Sequence, residues 1–137
     1  MADIAVTAAS VLPGTTGADF ENGTAGATIT AGQLVYLDST TNTYKLADAN
    51  ASVLTAQVRG VALHASLAGQ PLKIQRKGRW TVGGTVVVGT VYVTSGTPGG
   101  IAPTTDLVSG WFTAIVGIGV TAAMIDLQPI VGGVAVP

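Results

Sequence analysis

Cysteine is missing from this 137-residue sequence, histidine occurs once, and only 9% of the residues are charged. A typical soluble domain is roughly 25% charged. Without cysteine there is no disulfide and no thiol nucleophile, and a single histidine cannot supply the usual ligands of a zinc site. We therefore interpret His64 as a structural residue. The sequence predicts a protein that is not an enzyme, with no catalytic, cofactor-binding or metal-binding residues and no cofactor.

Long apolar runs and a substantial net charge are also missing. The formal net charge is −1, so no overall field attracts nucleic acid or an anionic membrane. The longest apolar stretch, residues 111–120, is interrupted by glycines and falls short of the roughly 18 residues that a membrane-spanning helix needs. The first residues, Met1-Ala2-Asp3, lack the basic region of a secretory signal. We predict no membrane partner, no nucleic-acid partner, and synthesis in a cytoplasm.

Valine, threonine, isoleucine and 19 glycines dominate what is present. β-branched residues favour strands, and closely spaced glycines favour tight turns. The sequence therefore predicts an all-β fold, a compact β-sandwich or partly open β-barrel of roughly eight to ten short antiparallel strands. Alternation of apolar and polar residues places strands at 28–30, 33–37, 43–47, 58–64, 72–76, 79–82, 90–94, 111–119 and 123–129, with a hairpin loop at 38–42, a helical turn after Asp48 and a chain turn at Gly78.

The N-terminal residues 1–27 differ from the rest of the chain. Turn residues cluster at 13–17 and 21–24, and only residues 4–7 suggest a strand. Because this segment can bury little by itself, we predict an extended N-terminal arm (1–27) that packs along the β domain (28–137) or onto a neighbouring copy; a partly disordered terminus is the alternative. A chain without the arm is expected to fold but to bind its partner poorly. The candidate contact residues of the arm are Ile4, Val6, Val11, Leu12 and Phe20.

Basic residues are clustered at one place in the sequence. Four of the six lie at Lys73, Arg76, Lys77 and Arg79, next to Trp80. As a functional site, this cluster would dock on an acidic protein surface, because arginine forms bidentate pairs with carboxylates. Single-stranded nucleic acid is a competing ligand, and a solvated hairpin tip without a binding role is the structural alternative. The sequence alone leaves open whether the arm or the basic cluster makes the contact.

Several segments resemble one protein family. They are residues 25–38 (AGATITAGQLVYLD), 44–48 (YKLAD), 59–65 (RGVALHA), 69–75 (GQPLKIQ) and 92–103 (YVTSGTPGGIAP). Their glycine turns and strand starts are similar to those of the capsid cement, or decoration, proteins of tailed bacteriophages. The resemblance extends over nearly the whole chain. It implies a small β-sandwich or barrel on the outer surface of the mature capsid, bridging capsid subunits, and it brings no catalytic motif.

These expectations combine into one predicted function. The protein is expected to be a structural virion protein that binds the outer capsid surface and stabilises it by bridging major capsid protein subunits. Its partners are the major capsid protein and itself, as a homo-oligomer, with a trimer favoured over a dimer. The alternative is a carbohydrate- or receptor-binding β module on a phage tail or a cell surface. That alternative needs aligned aromatic rings, for which Tyr36, Tyr44 and Trp80 are the candidates.

Overall fold

The computed structural model describes residues 3–15 and 17–136. Over these residues nine strands form one antiparallel sheet, which curls into an open half-barrel. The predicted all-β fold is therefore confirmed. The strands are β1 (Asp19–Thr24), β2 (Leu34–Asp38), β3 (Thr43–Leu46), β4 (Gly60–Ala62), β5 (Pro71–Thr81), β6 (Val91–Thr94), β7 (Ile101–Pro103), β8 (Phe112–Gly119) and β9 (Met124–Ala135). Single turns of 3-10 helix lie at Ala8–Ser10 and Thr104–Asp106.

The sheet has the strand order β3-β2-β4-β5-β9-β8-β6-β7, and β1 is added to β5. The predicted hairpin around residues 38–42 is confirmed, since β2 and β3 pair from Val35–Leu46 to Asp38–Thr43. Asn42 ends its loop with a φ of 56°, a left-handed conformation in which asparagine is enriched. This hairpin forms one end of the sheet.

The central strand β5 differs from the prediction. The sequence predicts two strands, 72–76 and 79–82, on either side of a turn at Gly78, but the structure has one strand, Pro71–Thr81. Gly78 has a φ of 92°, which a residue without a side chain adopts at little cost. The strand bends there without reversing, so that its first half pairs with β1 and β4 and its second half with β9. The interpretation of the basic cluster as a hairpin tip is therefore wrong.

The bend in β5 divides the interior into two cores. Strands β1 to β5 curl around the smaller core, and a bridge between Ala25 and Tyr44 brings the end of β1 beside β3. The larger core lies mainly under the second half of β5 and strands β6 to β9. The smaller core consists of Ala25, Ile29, Val35, Tyr44, Ala62, Leu72 and Ile74. The larger core consists of Val11, Leu34, Ala47, Val58, Val61, Trp80, Val82, Val86, Tyr92, Ile101, Ala114, Val116, Ile125 and Leu127.

The side chain of Gln75 is fully buried near the bend of β5. Its Oε1 accepts the N–H of Gly14 at 2.9 Å. Its Nε2 lies 3.0–3.1 Å from the carbonyl oxygens of Lys77, Gly78 and Arg79. A Cβ on Gly14 would come within 1.8 Å of the Arg79 oxygen, so this close approach requires glycine. Gln75 thus fastens the N-terminal loop to the bent strand.

The N-terminal segment belongs to the domain along most of its length. Residues 19–24 form strand β1, and Val11 is buried in the larger core. The predicted boundary between residues 27 and 28 therefore does not separate an arm from the sheet. Removing residues 1–27 would take away β1 and the core residues Val11 and Ala25, which argues against the expectation that such a chain still folds. Of this segment, Met1, Ala2 and Thr16 lie outside the described residues.

Two short strands expected near the N-terminus are not formed. Residues 4–7 are extended without a ladder, although the Ile4 N–H donates to the Ile101 carbonyl at 2.9 Å. Residues 28–30 contribute only an isolated bridge between Ile29 and Ser66. The Thr7 N–H also donates to the Gly83 carbonyl at 2.8 Å, and Ile29 and Ser66 exchange two backbone hydrogen bonds of 2.8 and 2.9 Å. Both segments are thus held to the domain by isolated hydrogen bonds and not by a ladder.

Candidate interaction surface

The clustered basic residues extend along strand β5 in different environments. The Lys73 Nζ lies 4.9 Å from the centre of the Phe20 ring, within the range of a cation–π contact. Arg76 Nη1 lies 3.2 Å from Oε2 of Glu21. Lys77 and Arg79 are exposed, and among the described residues neither pairs with a carboxylate. The strand therefore presents two cations that remain available to a partner.

Glu21 is the centre of a polar cluster beside β5. The Arg59 guanidinium contacts its carboxylate at two points, with Nε 2.9 Å from Oε1 and Nη2 2.9 Å from Oε2. Arg76 approaches the same Oε2, and the Tyr44 hydroxyl donates a hydrogen bond to Oε1. Since these residues come from β1, β3, β5 and the segment before β4, the cluster connects the strands around the smaller core.

The cluster determines the protonation of its members. Hydrogen bonds from Arg59 hold the pKa of the Glu21 carboxyl below its ordinary value of 4.5, although partial burial acts in the opposite direction. Burial, together with the nearby Glu21 carboxylate, raises the pKa of the Tyr44 hydroxyl to about 12. At neutral pH the cluster therefore combines one carboxylate, two guanidinium groups and a neutral phenol, and its net charge is positive.

We expect Glu21→Gln to lower the free energy of unfolding by about 1–2 kcal/mol at neutral pH, because an amide replaces a carboxylate that accepts charge-assisted hydrogen bonds. A carboxyl group whose folded pKa is depressed adds stability above its unfolded pKa and loses it as the pH falls through the folded pKa. The difference between wild type and variant should therefore shrink as the pH falls below 4.5. Urea unfolding curves from neutral to acidic pH measure it.

Asp19→Asn is the matched control, because it removes the same charge from an exposed position of β1. Exposed charges contribute little to stability, so this variant should unfold like the wild type. If the free energy of unfolding of Glu21→Gln differed from that of the wild type by the same amount across the pH range, the role assigned to the carboxylate would be contradicted.

Trp80 is not at the surface. Its side chain is 0% exposed in the larger core, whereas the preceding Arg79 is exposed, because successive side chains of a strand point to opposite faces. The prediction that Trp80 makes a capsid or subunit contact is therefore wrong. Tyr36 and Tyr44, which were expected to align with it in a carbohydrate-binding row, are also buried.

The candidate contact residues near the N-terminus fall into two groups. Val11 is buried in the larger core, and Ile4 and Val6 are half-buried against it. Leu12 and Phe20, by contrast, are 57% and 39% exposed. The prediction is therefore wrong for Val11, and Leu12 and Phe20 are the members of the group that offer exposed apolar side chains.

Strands β5 and β9 separate and leave a cleft between them. Their ladder runs from Thr81–Met124 to Gly78–Leu127 and ends there. Pro129 follows shortly after, and its missing N–H cannot continue a ladder. Basic side chains line the β5 side of the cleft and apolar side chains the β9 side. They are Arg59, Arg76, Lys77 and Arg79 on the first and Pro129, Ile130 and Val131 on the second, around adjoining cavities of about 300 and 470 Å³.

An apolar patch adjoins this cleft on the outer face of β8 and β9. Ile118 and Ile130 are 49% and 59% exposed, and Ile115 lies opposite Ile130 across the two strands. Asp126 and Gln128 border both the patch and the cleft. We call the cleft and the patch together the β5–β9 surface.

Sequence reasoning found the basic half of the β5–β9 surface and missed the rest. Glu21 and Arg59 are far apart in the sequence, so no local pattern connects them. The apolar half did leave a signal, since residues 127–137 contain no charge. The strand predicted at 123–129 is shorter than β9, which continues to Ala135; Pro137 lies outside the described residues.

His64 is exposed and bonds to backbone groups. Its Nε2 accepts the N–H of Lys73 at 3.1 Å, and its Nδ1 lies 2.9 Å from the carbonyl oxygen of Ala65. The ring therefore carries its proton on Nδ1 and acts as a local staple between β5 and the preceding loop. Within residues 3–15 and 17–136, no three His, Asp or Glu side chains converge on a possible metal position. The same residues contain no helix long and apolar enough to cross a bilayer.

The resemblance to capsid decoration proteins stays a prediction that rests on the segments quoted above. Its functional consequence has to be argued from the β5–β9 surface and the other exposed side chains. Neither the protein-family models nor the curated proteins compared with this chain include a match.

Proposed function

We propose that this protein is a structural component of a tailed-phage virion, which binds the outer surface of the capsid and stabilises it by bridging major capsid protein subunits. It is made in the cytoplasm of the bacterial host. It acts as a small homo-oligomer, a trimer rather than a dimer, because a three-fold arrangement places each copy over a different capsid subunit. This role requires neither catalysis nor a cofactor.

The observation that carries the proposal is the amount of apolar side chain exposed on a chain with few charges. Among the described residues, twelve large hydrophobic side chains are at least 37% exposed. The whole sequence has only six basic and seven acidic residues to keep such a surface in solution. Where exposed apolar side chains form a contiguous patch, they are typical of surfaces that a neighbour covers. Ile118 and Ile130 belong to it and lie in the β5–β9 surface.

The mechanism of stabilisation is thermodynamic. A ligand that binds the assembled shell and not its free subunits favours assembly by mass action. The apolar patch would supply affinity at about 25 cal/mol per Å² of apolar area removed from water. The basic cleft would orient each copy, since charge complementarity fixes register and partner choice.

A carbohydrate- or receptor-binding role has less support from the side chains. Such a site stacks sugar rings on exposed aromatic rings, but Tyr36, Tyr44 and Trp80 are all buried. Phe20 is exposed, yet the Lys73 ammonium lies over its ring. Among the described residues, no two exposed aromatic rings lie together on one face to form the row that a sugar-binding site needs.

Shell binding is the direct test. The reading frame beside the gene for this chain is expected to encode a major capsid protein, and shells assembled from that protein should bind the purified chain. Co-sedimentation should show saturation at a fixed ratio, and decorated shells should withstand higher temperatures than bare ones. Shells that neither bind the chain saturably nor gain heat resistance would overturn the proposal. A stable monomer in sedimentation at micromolar concentration would overturn the oligomer.

We expect Ile118→Asp to weaken shell binding by about tenfold or more, which corresponds to about 1.4 kcal/mol, while thermal unfolding changes little because the side chain is half exposed. Leu67→Asp is the matched control: Leu67 is 57% exposed in the loop between β4 and β5, outside the β5–β9 surface. It should bind shells like the wild type. Equal losses in the two variants would contradict a contact through the β5–β9 surface.

A further inference from the structure

The cleft between β5 and β9 contains an open strand edge. β9 continues to Ala135, but its ladder with β5 ends at Leu127. Beyond that point, no other strand of the described residues pairs with this edge, since β8 occupies the opposite one. Exposed edges are usually blunted by charged side chains or by proline. Pro129 interrupts the start of this edge, whereas residues 130–136 contain neither a charged side chain nor a proline. The edge is therefore a template on which another strand can pair.

The charges across the cleft select which kind of strand fits. Four cations, Arg59, Arg76, Lys77 and Arg79, line the wall that faces the edge. Glu21 neutralises part of this charge behind the wall, and Asp126 is the acidic residue among those that line the cleft. The Nε of Arg76 is buried without a hydrogen-bond partner among the described residues. The net charge of the residues around the cleft is therefore positive, and the positive charge is concentrated at the unpaired Lys77 and Arg79.

We propose that this cleft binds an extended acidic segment of another protein, which adds a strand to the open edge of β9. Its backbone would pair with residues 130–135, beyond Pro129, in the manner of other strand-addition sites. Its carboxylates would reach Lys77 and Arg79, and its apolar side chains would pack on Ile130 and Val131. The identity of that protein as a capsid subunit rests on the proposed function, but the preference for an acidic strand does not.

A nucleic acid fits the same cleft less well. Single-strand binding sites combine cations with aromatic rings on which bases stack. No aromatic side chain lines either cavity, and the nearby Trp80 is buried. A sugar–phosphate chain also cannot pair with the N–H and C=O groups of a strand edge. The observations therefore favour a peptide.

A labelled peptide of about eight residues, the length of an ordinary strand, tests the proposal. It alternates glutamate and valine, and its control replaces every glutamate by glutamine. Fluorescence anisotropy should show that the protein binds the acidic peptide about tenfold more tightly than the neutral one, with a preference that falls as salt rises. Amide hydrogen exchange in residues 130–135 should slow when the acidic peptide is added, which a purely electrostatic contact would not cause.

Charge reversals on one strand provide matched variants. Lys77→Glu and Arg79→Glu should each weaken binding of the acidic peptide by about tenfold. Lys73→Glu makes the same change on β5 at a position that lines neither cavity, and it should leave binding unchanged. Equal binding of the two peptides, tighter binding of oligothymidylate, an equal loss in Lys73→Glu or unchanged exchange in residues 130–135 would each overturn the proposal.

Shells distinguish this proposal from the proposed function. If Lys77→Glu abolishes binding of the peptide but not binding of the shell, the capsid contact lies elsewhere and the peptide site is unaffected. If the protein binds shells but binds the acidic and the neutral peptide equally, only the proposed preference for an acidic strand is refuted. Protein that binds the acidic peptide but no shell would refute only the capsid role.

Discussion

Trp80→Ala is expected to lower the free energy of unfolding by about 3–5 kcal/mol, the range for truncating a buried aromatic side chain. Trp80 is the largest fully buried side chain, and it lies opposite Ile125 in the larger core. Its removal leaves a cavity that the paired strands β5 and β9 cannot close by shifting. Because small domains are stable by only about 5–15 kcal/mol, much of the folded population would be lost under mild denaturing conditions.

Trp80→Phe is the control that separates volume from hydrogen bonding. The Nε1 of Trp80 has no hydrogen-bond partner among the described residues, so phenylalanine gives up ring volume and no bond. We expect a loss of about 1–2 kcal/mol in urea unfolding, since part of the cavity is filled. If Trp80→Ala kept wild-type stability and lost only shell binding, the tryptophan would be a contact residue and its place in the core would be wrong.

The strands that could be predicted are those defined by local alternation between turn residues. β2, β3, β6 and β8 lie within about one residue of the expected segments, because each has a full apolar face and a glycine or polar turn at its ends. Asp48 also behaves as expected in part: its Oδ1 accepts the Asn50 N–H at 2.8 Å. A turn forms there in place of a helical turn.

The strand that could not be predicted is stabilised by distant residues. β1 has the sequence Asp19-Phe20-Glu21-Asn22-Gly23-Thr24, which looks like a polar turn. It becomes a strand because β5 offers a partner edge and the Tyr44 ring packs where a side chain on Gly23 would lie, 2.3 Å from that Cβ position. Such tertiary contacts override local preference.

The interaction surface shows the same division. The clustering of Lys73, Arg76, Lys77 and Arg79 is visible in the sequence, but their exposure depends on whether Gly78 reverses the chain or bends it. Glycine permits either conformation at that φ. The choice of the bend is what buries Trp80, sets Lys77 and Arg79 beside the cleft, and pairs β5 with β9.

Gln75→Leu is expected to lower the free energy of unfolding by about 2–3 kcal/mol. Leucine has a similar size but leaves the Gly14 N–H without its acceptor and removes the donor beside the carbonyls of Lys77, Gly78 and Arg79. A buried group without a partner costs about 1–3 kcal/mol. Hydrogen exchange at Gly14 should accelerate more than exchange in β8. Gln57→Leu, at an exposed glutamine, is the control and should stay within about 0.5 kcal/mol of the wild type.

Gln75→Glu then tests the direction of the hydrogen bonds. The carboxylate could still accept the Gly14 N–H, but it would face three carbonyl oxygens in a buried site. Burial and these oxygens should raise the folded pKa of the new carboxyl above its unfolded value. Its stability is then fully present below the unfolded pKa and is lost as the pH rises through the folded pKa. Gln75→Glu should therefore approach the wild type on acidification while Gln75→Leu does not. Parallel pH profiles for the two variants would show that shape, and not hydrogen bonding, fixes the N-terminal loop.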